Sequence, residues 1–514
     1  MRVENFLKAS AAKLPDKIAL IAGDQRLSYR ELDRASDALA AGLQRRGVAR
    51  GDRVVVFMDN CAEAVIAIFA ALKAGAVFSP VNPSTKADKL AYVINNCRAA
   101  ALITLGRLAP TAVKALSETP SIKTVIATEG KTAFPDGWQR FDELVAADEV
   151  SAKPAGIELD LAMLIYTSGS TGFPKGVMMT HQNVVAAATS ITTYLESAAD
   201  DIVLSVLPLS FDYGLYQALM TIKVGATLVL EKSFAFPQAV LQKINAEKVT
   251  GFPIVPTIAA LLLQMKDLQP GQFPSLRYLT NTAAALPTAH IRRLQALFPQ
   301  ARLFSMYGLT ECKRCTYLPP DELVRRPDSV GIAIPGTEAY VVDDEGERVP
   351  HGTIGELVIR GPHVMKGYWE NPQATARALR PGPFEWEKVL YTGDLFRADA
   401  EGFLYFVGRK DDIIKTRGEK VSPKEVENVL VGLAGLREVA VIGVDDPVLG
   451  AAIKAFVVAD PDTLTAQDVL RHCARHLEDF MVPKHVEFRD ALPKSENGKI
   501  DRRALAAQVL EAAE

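Results

Sequence analysis

The sequence predicts an α/β protein: a large N-terminal domain of two layered α/β subdomains with a small β unit, then a small α+β C-terminal domain. Three observations carry this. Apolar runs of strand length alternate with amphipathic helical stretches from Ile18 to Ser305, the pattern of parallel sheets crossed by helices. From Glu338 the texture changes to short strand-like runs about the turn Asp343-Asp344-Glu345-Gly346, which read as antiparallel hairpins. A last compact set of β and α segments fills Val421 to Glu514. With 514 residues, 48% hydrophobic and 23% charged, the chain has room for roughly three ordinary domains and a large core.

In chain order, a hairpin is expected from Ile18 to Ser28, then a helix opened by the capping box of Ser28 and Glu31 and striped by Leu32, Leu39 and Leu43. Apolar runs at Arg53 to Phe57 and Ala76 to Val81 flank a buried helix over Ala62 to Lys73. The segment Ala62 to Phe78 is the most apolar, yet it carries Glu63 and Lys73 and falls short of the roughly 20 residues a membrane span needs. A strand to Tyr166 and a helix over Asn183 to Ile191 bracket a glycine-rich loop, giving strand, loop, helix. Further strands are expected at Ile202 to Leu207, Ala226 to Leu230, Leu276 to Thr280 and Arg302 to Ser305. A domain boundary is placed at Lys410 and Asp411, giving domains over 1–409 and 410–514.

Composition narrows the partners. A net charge of −3 with both signs interspersed offers no basic stripe for nucleic acid and no polybasic membrane patch. Arg2, Glu4 and Lys8 near the start, without a following apolar stretch, do not read as a secretory leader, so the expected location is cytoplasmic. Cys61, Cys97, Cys312, Cys315 and Cys473 are odd in number and scattered, which suits reduced thiols. Cys312-x-x-Cys315 lacks a second pair at zinc spacing, and His472 and His476 read as a solvated helix face.

The loop carries the chemistry. Between Thr167 and Gly176 stand the hydroxyls of Thr167, Ser168, Ser170 and Thr171, the glycines Gly169, Gly172 and Gly176, and the cation Lys175. Glycines let successive amide N–H groups converge on an anion, and hydroxyls and a lysine add charge-assisted bonds, so the loop suits phosphate. It is not the G-x-x-x-x-G-K-[ST] loop, because Lys175 follows Pro174 and precedes Gly176.

The stretch Y-T-S-G-S-T-G-F-P-K-G resembles the phosphate loop of the adenylate-forming superfamily: acyl- and aryl-CoA synthetases, freestanding adenylation domains and firefly-type luciferases. Further motifs, in the same order, extend the resemblance along nearly the whole chain. In Y-G-L-T-E it implies that Tyr307 stacks on adenine, Thr310 contacts the α-phosphate and Glu311 coordinates Mg²⁺, with Ser305, Met306 and Gly308 beside them. Asp394 of Y-T-G-D-L would take the ribose hydroxyls, assisted by Arg409. In N-T-A-A-A-L-P, relatives tend to carry glycines by the nucleotide where this chain has Ala283, Ala284 and Ala285. Asp411 would be the hinge of a mobile small domain, with Lys415 and Gly418 in the loop that forms the thiol tunnel. Lys499 of P-K-S-E-N-G-K would contact the attacking carboxylate and the α-phosphate.

What the resemblance implies is an AMP-forming acid–thiol ligase using ATP and Mg²⁺. A carboxylate attacks the α-phosphorus, and Lys499, Lys175 and Mg²⁺ offset the repulsion of the anions. The acyl adenylate then meets a thiol, and Lys499 must vacate the path of that thiol, which calls for a rotation about Asp411. CoA is the expected acceptor; the alternative is the phosphopantetheine arm of an acyl or peptidyl carrier protein. The class-level rival is a non-catalytic nucleotide-binding relative.

The acid is a small-molecule carboxylate whose pocket is expected around Phe211, Asp212, Tyr213, Pro253 and Gly308. Phe211 stands where many acyl-CoA synthetases place histidine, and Asp212 where amino-acid adenylation domains carry the aspartate for a substrate ammonium. A buried carboxylate needs a partner, so Asp212 implies an amino or hydroxyl group on the acid, a local Lys or Arg, or a helix N-cap near Tyr213.

Overall fold

The computed structural model describes residues 1–511 except 131–133, 148–155, 168–173, 283–284, 417–418, 447–448, 460–463 and 495–498. Among the described residues the strands form four sheets. A nine-stranded sheet runs from the edge strand Ile332–Ala333 to Gln25–Ser28, and an eight-stranded sheet from Gly367–Tyr368 to Gln139–Arg140. Both are parallel through their middles. Strands such as Val77–Val81 and Ala99–Thr104 are buried at every position, as sheets covered by helices on both faces require.

The two large sheets share one core, which draws Val54, Phe69 and Ile165 from one side and Leu204, Leu228 and Phe304 from the other. Helices Tyr29–Arg45 and Ala62–Lys73 belong to this core. The first begins at the expected Ser28–Glu31 capping box. The second buries Lys73 completely, which is tolerable because its ammonium meets Asp33 Oδ1 at 2.5 Å and Asp37 Oδ1 at 3.1 Å. Asn60 ties the two subdomains. Its Nδ2 donates to the carbonyls of Leu207 and Glu231, both at 2.9 Å, and its Oδ1 accepts from Leu209 N–H at 2.9 Å.

One expectation is corrected. After the strand Leu161–Thr167 and the glycine-rich loop the chain does not enter a helix directly but returns as the strand Lys175–Thr180, antiparallel to the first, with Thr167 opposite Lys175. The helix His181–Tyr194 follows, opened by a capping box of Thr180 and Asn183. The β-branched and apolar run Val177-Met178-Met179-Thr180 has strand texture, and the capping threonine stops it.

The small β unit is antiparallel: Glu338–Val342, Gly355–Arg360, Lys388–Ala398 and Leu404–Arg409 pair in turn, with Leu379–Pro381 at the other edge of Lys388–Ala398. A single 3₁₀ turn, Lys410–Asp412, leads into the C-terminal unit. There a second five-stranded sheet packs against the helices Pro423–Val431, Ala466–His476 and Arg502–Glu511. Its apolar clusters, around Val426, Val441 and Val457 and around Phe456 and Leu505, draw on residues after 413 alone. Buried Glu427 braces it by accepting from Val441 N–H at 3.0 Å and Arg502 Nη2 at 2.6 Å. No helix among the described residues is long and apolar enough to cross a membrane.

Candidate active site

Three parallel strands end level with one another. Ile254 is in register with Asn281, and Asn281 with Ser305, so Gly251–Ile254, Tyr278–Asn281 and Arg302–Tyr307 open on one carboxyl edge, where α/β sheets place their ligands. Tyr307 closes the last of them. Its hydroxyl donates to Asp394 Oδ2 at 2.5 Å, and its ring meets Phe396 edge-on at 4.9 Å.

Asp394 is aimed by its strand: Gly393 takes φ +71°, a left-handed turn that favours glycine, and the Asp394 N–H donates to Thr392 Oγ1 at 3.1 Å. Arg409 is its register partner across the sheet, with Nη1 2.9 Å from Oδ1 but off the line of a hydrogen bond. Burial pushes the Asp394 carboxyl up, against the pull of Arg409 and the Tyr307 hydroxyl. One buried oxygen, Oδ1, is thereby left as an acceptor without a hydrogen-bond donor, the feature a vicinal diol fits.

On the opposite flank lies a second constellation. Lys175, first residue of its strand, holds its ammonium 5.4 Å over the Tyr368 ring, and the Tyr368 hydroxyl donates to Glu311 Oε1 at 2.7 Å. Tyr368 is in place because Gly367–Tyr368 forms an edge strand on Lys175–Thr180, with Tyr368 opposite Val177. Trp369 N–H donates to Gly176 O at 2.7 Å, and Met365 N–H to Glu311 O at 2.8 Å. Glu311 itself is half-buried. Sequence reasoning passed over Tyr368 altogether; the run Gly367-Tyr368-Trp369-Glu370-Asn371-Pro372, an aromatic pair after a glycine and before an Asn-capped helix, is the signal that was there.

Of the expected loop, Thr167 and Lys175 are paired across two antiparallel strands, while Ser168, Gly169, Ser170, Thr171 and Gly172 lie outside the described residues. Ala283, Ala284 and Gly418 lie outside them as well, and so does the Lys415 side chain; Ala285 is exposed. Thr310 is half-buried next to Glu311. Ser305 and Met306 are buried in their strand, and the Met306 thioether accepts from the Tyr194 hydroxyl at 2.9 Å, so its side chain serves the core. Gly308 is required sterically, since a Cβ there would sit 1.7 Å from the Lys313 carbonyl oxygen.

On the acyl side the helix Asp212–Val224 starts at Asp212 itself, and Phe211 occupies the N-cap without a side-chain cap bond, so Asp212 is not the cap. Gly214 lets the helix press on the preceding turn, a Cβ there standing 2.3 Å from Pro208 O. Tyr213 is buried with its hydroxyl 2.8 Å from Thr280 O, a wall between the helix and the strand that pairs Pro253 with Thr280. The charge of Asp212 acts on both Lys313 and Lys499.

Lys499 comes from the C-terminal unit. Its side chain is exposed, yet the surrounding protein displaces enough water to push the ammonium down, opposed by Asp212 and Asp394 and reinforced by Arg409. The charge of Arg409 also acts on Tyr368, and those of Asp394 and Glu311 act on Arg409. Asp411 is exposed within its 3₁₀ turn, beside Lys410, whose ammonium meets Asp344 Oδ1 at 2.9 Å and Glu356 Oε2 at 3.0 Å. Cys312 and Cys315 are buried with their sulfurs 2.8 Å apart, and burial pushes the Cys312 thiol well up. Among the described residues no three His, Cys, Asp or Glu side chains cluster to hold a metal ion, and His472 bonds the Val429 carbonyl at 3.0 Å.

Two family models match the chain, "AMP-binding enzyme" over residues 7–369 and "AMP-binding enzyme C-terminal domain" over 425–499. A long-chain-fatty-acid–CoA ligase of Bacillus subtilis is 33% identical, with 99% of this chain and 95% of that protein covered. The ATP-bound crystal structure of MatB from Rhodopseudomonas palustris superposes with a TM-score of 0.89 at 29% identity, covering 100% of both chains. The anthranilate CoA ligase AuaEII in complex with anthranoyl-AMP superposes with a TM-score of 0.90 at 27% identity, covering 100% of this chain and 98% of the other.

Proposed function

The chain belongs to the AMP-binding enzyme family, and from that premise we propose how its residues divide the work of an ATP-dependent, AMP-forming acid–thiol ligase. The carrying observation is geometric: the Lys175 ammonium lies over the Tyr368 ring whose hydroxyl donates to Glu311, and Asp394 accepts from the Tyr307 hydroxyl with Arg409 Nη1 2.9 Å from its Oδ1. A carboxylate attacks the α-phosphorus of ATP, pyrophosphate leaves, and the acyl adenylate passes its acyl group to the thiol of CoA.

In that reaction Asp394, whose buried Oδ1 has no hydrogen-bond donor, holds the ribose hydroxyls, and Tyr307 supplies the flat face for adenine. Thr310 contacts the α-phosphate. Lys175 and the loop that starts at Thr167 receive the leaving pyrophosphate. Lys499 stands by the attacking carboxylate. A lone half-buried carboxylate such as Glu311 suits Mg²⁺, which prefers one or two protein oxygens with substrate phosphates completing its shell. Bound there, the ion supplies charge neutralisation to the phosphates. Tyr368 fixes the rotamer of that carboxylate and keeps Lys175 near it.

The separate apolar clusters of the C-terminal unit support a domain boundary at Lys410–Asp412, about which the unit turns to withdraw Lys499 before the thiol enters. Lys415 and Gly418 then border the thiol's path. The five unpaired cysteines, three of whose thiols are pushed up to about 12, 11 and 11 at Cys61, Cys97 and Cys473 with burial as the leading cause, support a reducing cytoplasmic setting.

Pyrophosphate exchange with a panel of acids tests the adenylation. Exchange that depends on ATP, Mg²⁺ and one acid class is the expected result, and no exchange with any acid would make the chain a nucleotide-binding relative without catalysis. The acceptor is tested by mass spectrometry with free CoA and with phosphopantetheinylated carrier proteins. Thioester on carrier protein alone would replace CoA by the carrier. The compared relatives are named for a long-chain fatty acid and for anthranilate, so the acid must be read from this chain's own pocket.

A further inference from the structure

Directly after Glu311 the chain buries two cations side by side. Lys313 and Arg314 are each 1% exposed, and Lys313 takes φ +68°, the left-handed conformation a lysine rarely adopts. The backbone holds them there: Lys313 N–H donates to Leu309 O at 2.7 Å and Cys315 N–H to Tyr307 O at 2.9 Å.

Neither head group has a hydrogen-bond acceptor among the described residues; Lys313 Nζ and Arg314 Nε, Nη1 and Nη2 are all unpaired. Elsewhere the chain pairs its buried cations, Lys73 with Asp33 and Asp37, and Arg326 with Glu322, Asp399 and Glu401. Here the surroundings are aromatic faces. The Arg314 guanidinium lies 4.4 Å over Tyr213 and the Lys313 ammonium 5.5 Å over Tyr216, whose buried hydroxyl is also unpaired.

Among the described residues, Asp212 and Glu311 are the carboxylates whose charge acts on Lys313, Asp212 acts on Lys499 as well, and neither hydrogen-bonds the Lys313 or Arg314 head group. Two adjacent buried cations with no hydrogen-bonded carboxylate are costly to a fold, and a bound anion would offset that cost. A fork of guanidinium N–H donors beside an ammonium and a phenol is the donor set that a carboxylate fits.

We propose that Lys313 and Arg314 form an anion subsite at the acyl end of the cleft, and that the acid activated here is a dicarboxylic acid. Its reacting carboxylate lies toward Lys499 and its distal carboxylate between Lys313 and Arg314, with Asp212 and Tyr213 separating the two ends. The inference rests on the ligase reading above, since it names the acid for that reaction.

The test is pyrophosphate exchange with a chain-length series offered in three forms: the dicarboxylic acid, its monomethyl ester, and the monocarboxylic acid of equal length. The wild-type enzyme should prefer the diacid of best length over its half ester by roughly 30-fold or more in kcat/KM, the discrimination expected when a buried charge loses its partner. Arg314→Met and Lys313→Met should shrink that ratio to within about threefold, and Arg314→Lys should restore part of it. If the variants do not fold, the comparison of diacid with half ester on the wild-type enzyme decides alone. Exchange that runs equally well on half ester or monocarboxylic acid overturns the subsite and leaves the ligase reading intact. Exchange with no acid overturns the ligase reading. In that case the thermal shift produced by the diacid on the full chain, lost in Arg314→Met, would uphold the subsite as a binding site, and no shift would overturn it too.

Discussion

The Tyr368 hydroxyl donates to Glu311 Oε1 at 2.7 Å across 57 positions of sequence, while the same ring lies under the Lys175 ammonium at 5.4 Å. One phenol therefore sets the distance between the proposed metal ligand and the proposed phosphate lysine. Tyr368→Phe keeps the ring under Lys175 and removes the bond to Glu311. The expected result is a Mg²⁺ requirement raised about 10-fold with the KM for the acid unchanged, since groups that orient a metal ligand commonly cost 10- to 100-fold. Titration of pyrophosphate exchange with Mg²⁺ reads it; an unchanged requirement would mean that Tyr368 serves the sheet alone.

Lys499→Ala removes a cation from the approach of two anions. Adenylation should fall by about 100-fold or more, a loss of roughly 3 kcal/mol of transition-state stabilisation. Thioester formation from acyl adenylate supplied ready-made should survive, because the thiol step needs the lysine gone. Equal losses in both half-reactions would contradict the division of labour proposed for the C-terminal unit.

The lowered ammonium of Lys499 has a sign that can be checked. Adenylation needs the protonated form, and desolvation, which outweighs the opposing Asp212 and Asp394, moves deprotonation below the ordinary lysine value. The adenylation rate should therefore decline as pH rises, sooner than an exposed lysine would dictate. Lys499→Arg keeps its charge throughout and should lose that alkaline decline, whatever its absolute rate. Superimposable pH profiles for the two enzymes would sink this assignment.

Acid should weaken the fold through buried histidine. His363 is 2% exposed, and burial holds its imidazole down at about 4 against the usual 6.5. Between those values the unfolded chain binds a proton that the folded chain refuses, so stability is intact above pH 6.5 and drains away as pH falls toward 4. The total is up to about 3 kcal/mol for that side chain. His363→Gln should flatten the decline of Tm over that window, though not abolish it, because His181 carries a like shift to about 4.

Much of this was legible because phosphate chemistry is written in short strings. The loop from Thr167, the run from Tyr307 to Glu311, Asp394 and Lys499 each stand in a local pattern, and the structure brings Glu311, Asp394, Arg409 and Lys499 within one field. Strand and helix positions in the parallel regions were legible for the same reason, since a strand buried on both faces is a continuous apolar run. Tyr368 was not, because its role exists through the pairing of a two-residue edge strand with Lys175–Thr180, and no local pattern reports a partner so far away. The extra strand after the loop was missed because its apolar run merges into the helix behind it. Lys313 and Arg314 are the two residues inside the Cys312-x-x-Cys315 string, which says nothing of their burial, and only that burial marks them as unusual.

The pairing of Asp394 with Arg409 lies wholly within the small β unit, one residue before the turn Lys410–Asp412. Whatever swing the C-terminal unit makes about that turn, this pair is left behind with the larger body. If Asp394 grips the ribose as proposed, an adenylate stays seated while the proposed withdrawal of Lys499 takes place, and the brief interval between the two half-reactions need not become an opportunity for water or for escape. Enzymes that remodel their own centre mid-cycle face that hazard in general; here the proposed anchor and the proposed moving part are separated by the three-residue turn Lys410–Asp412.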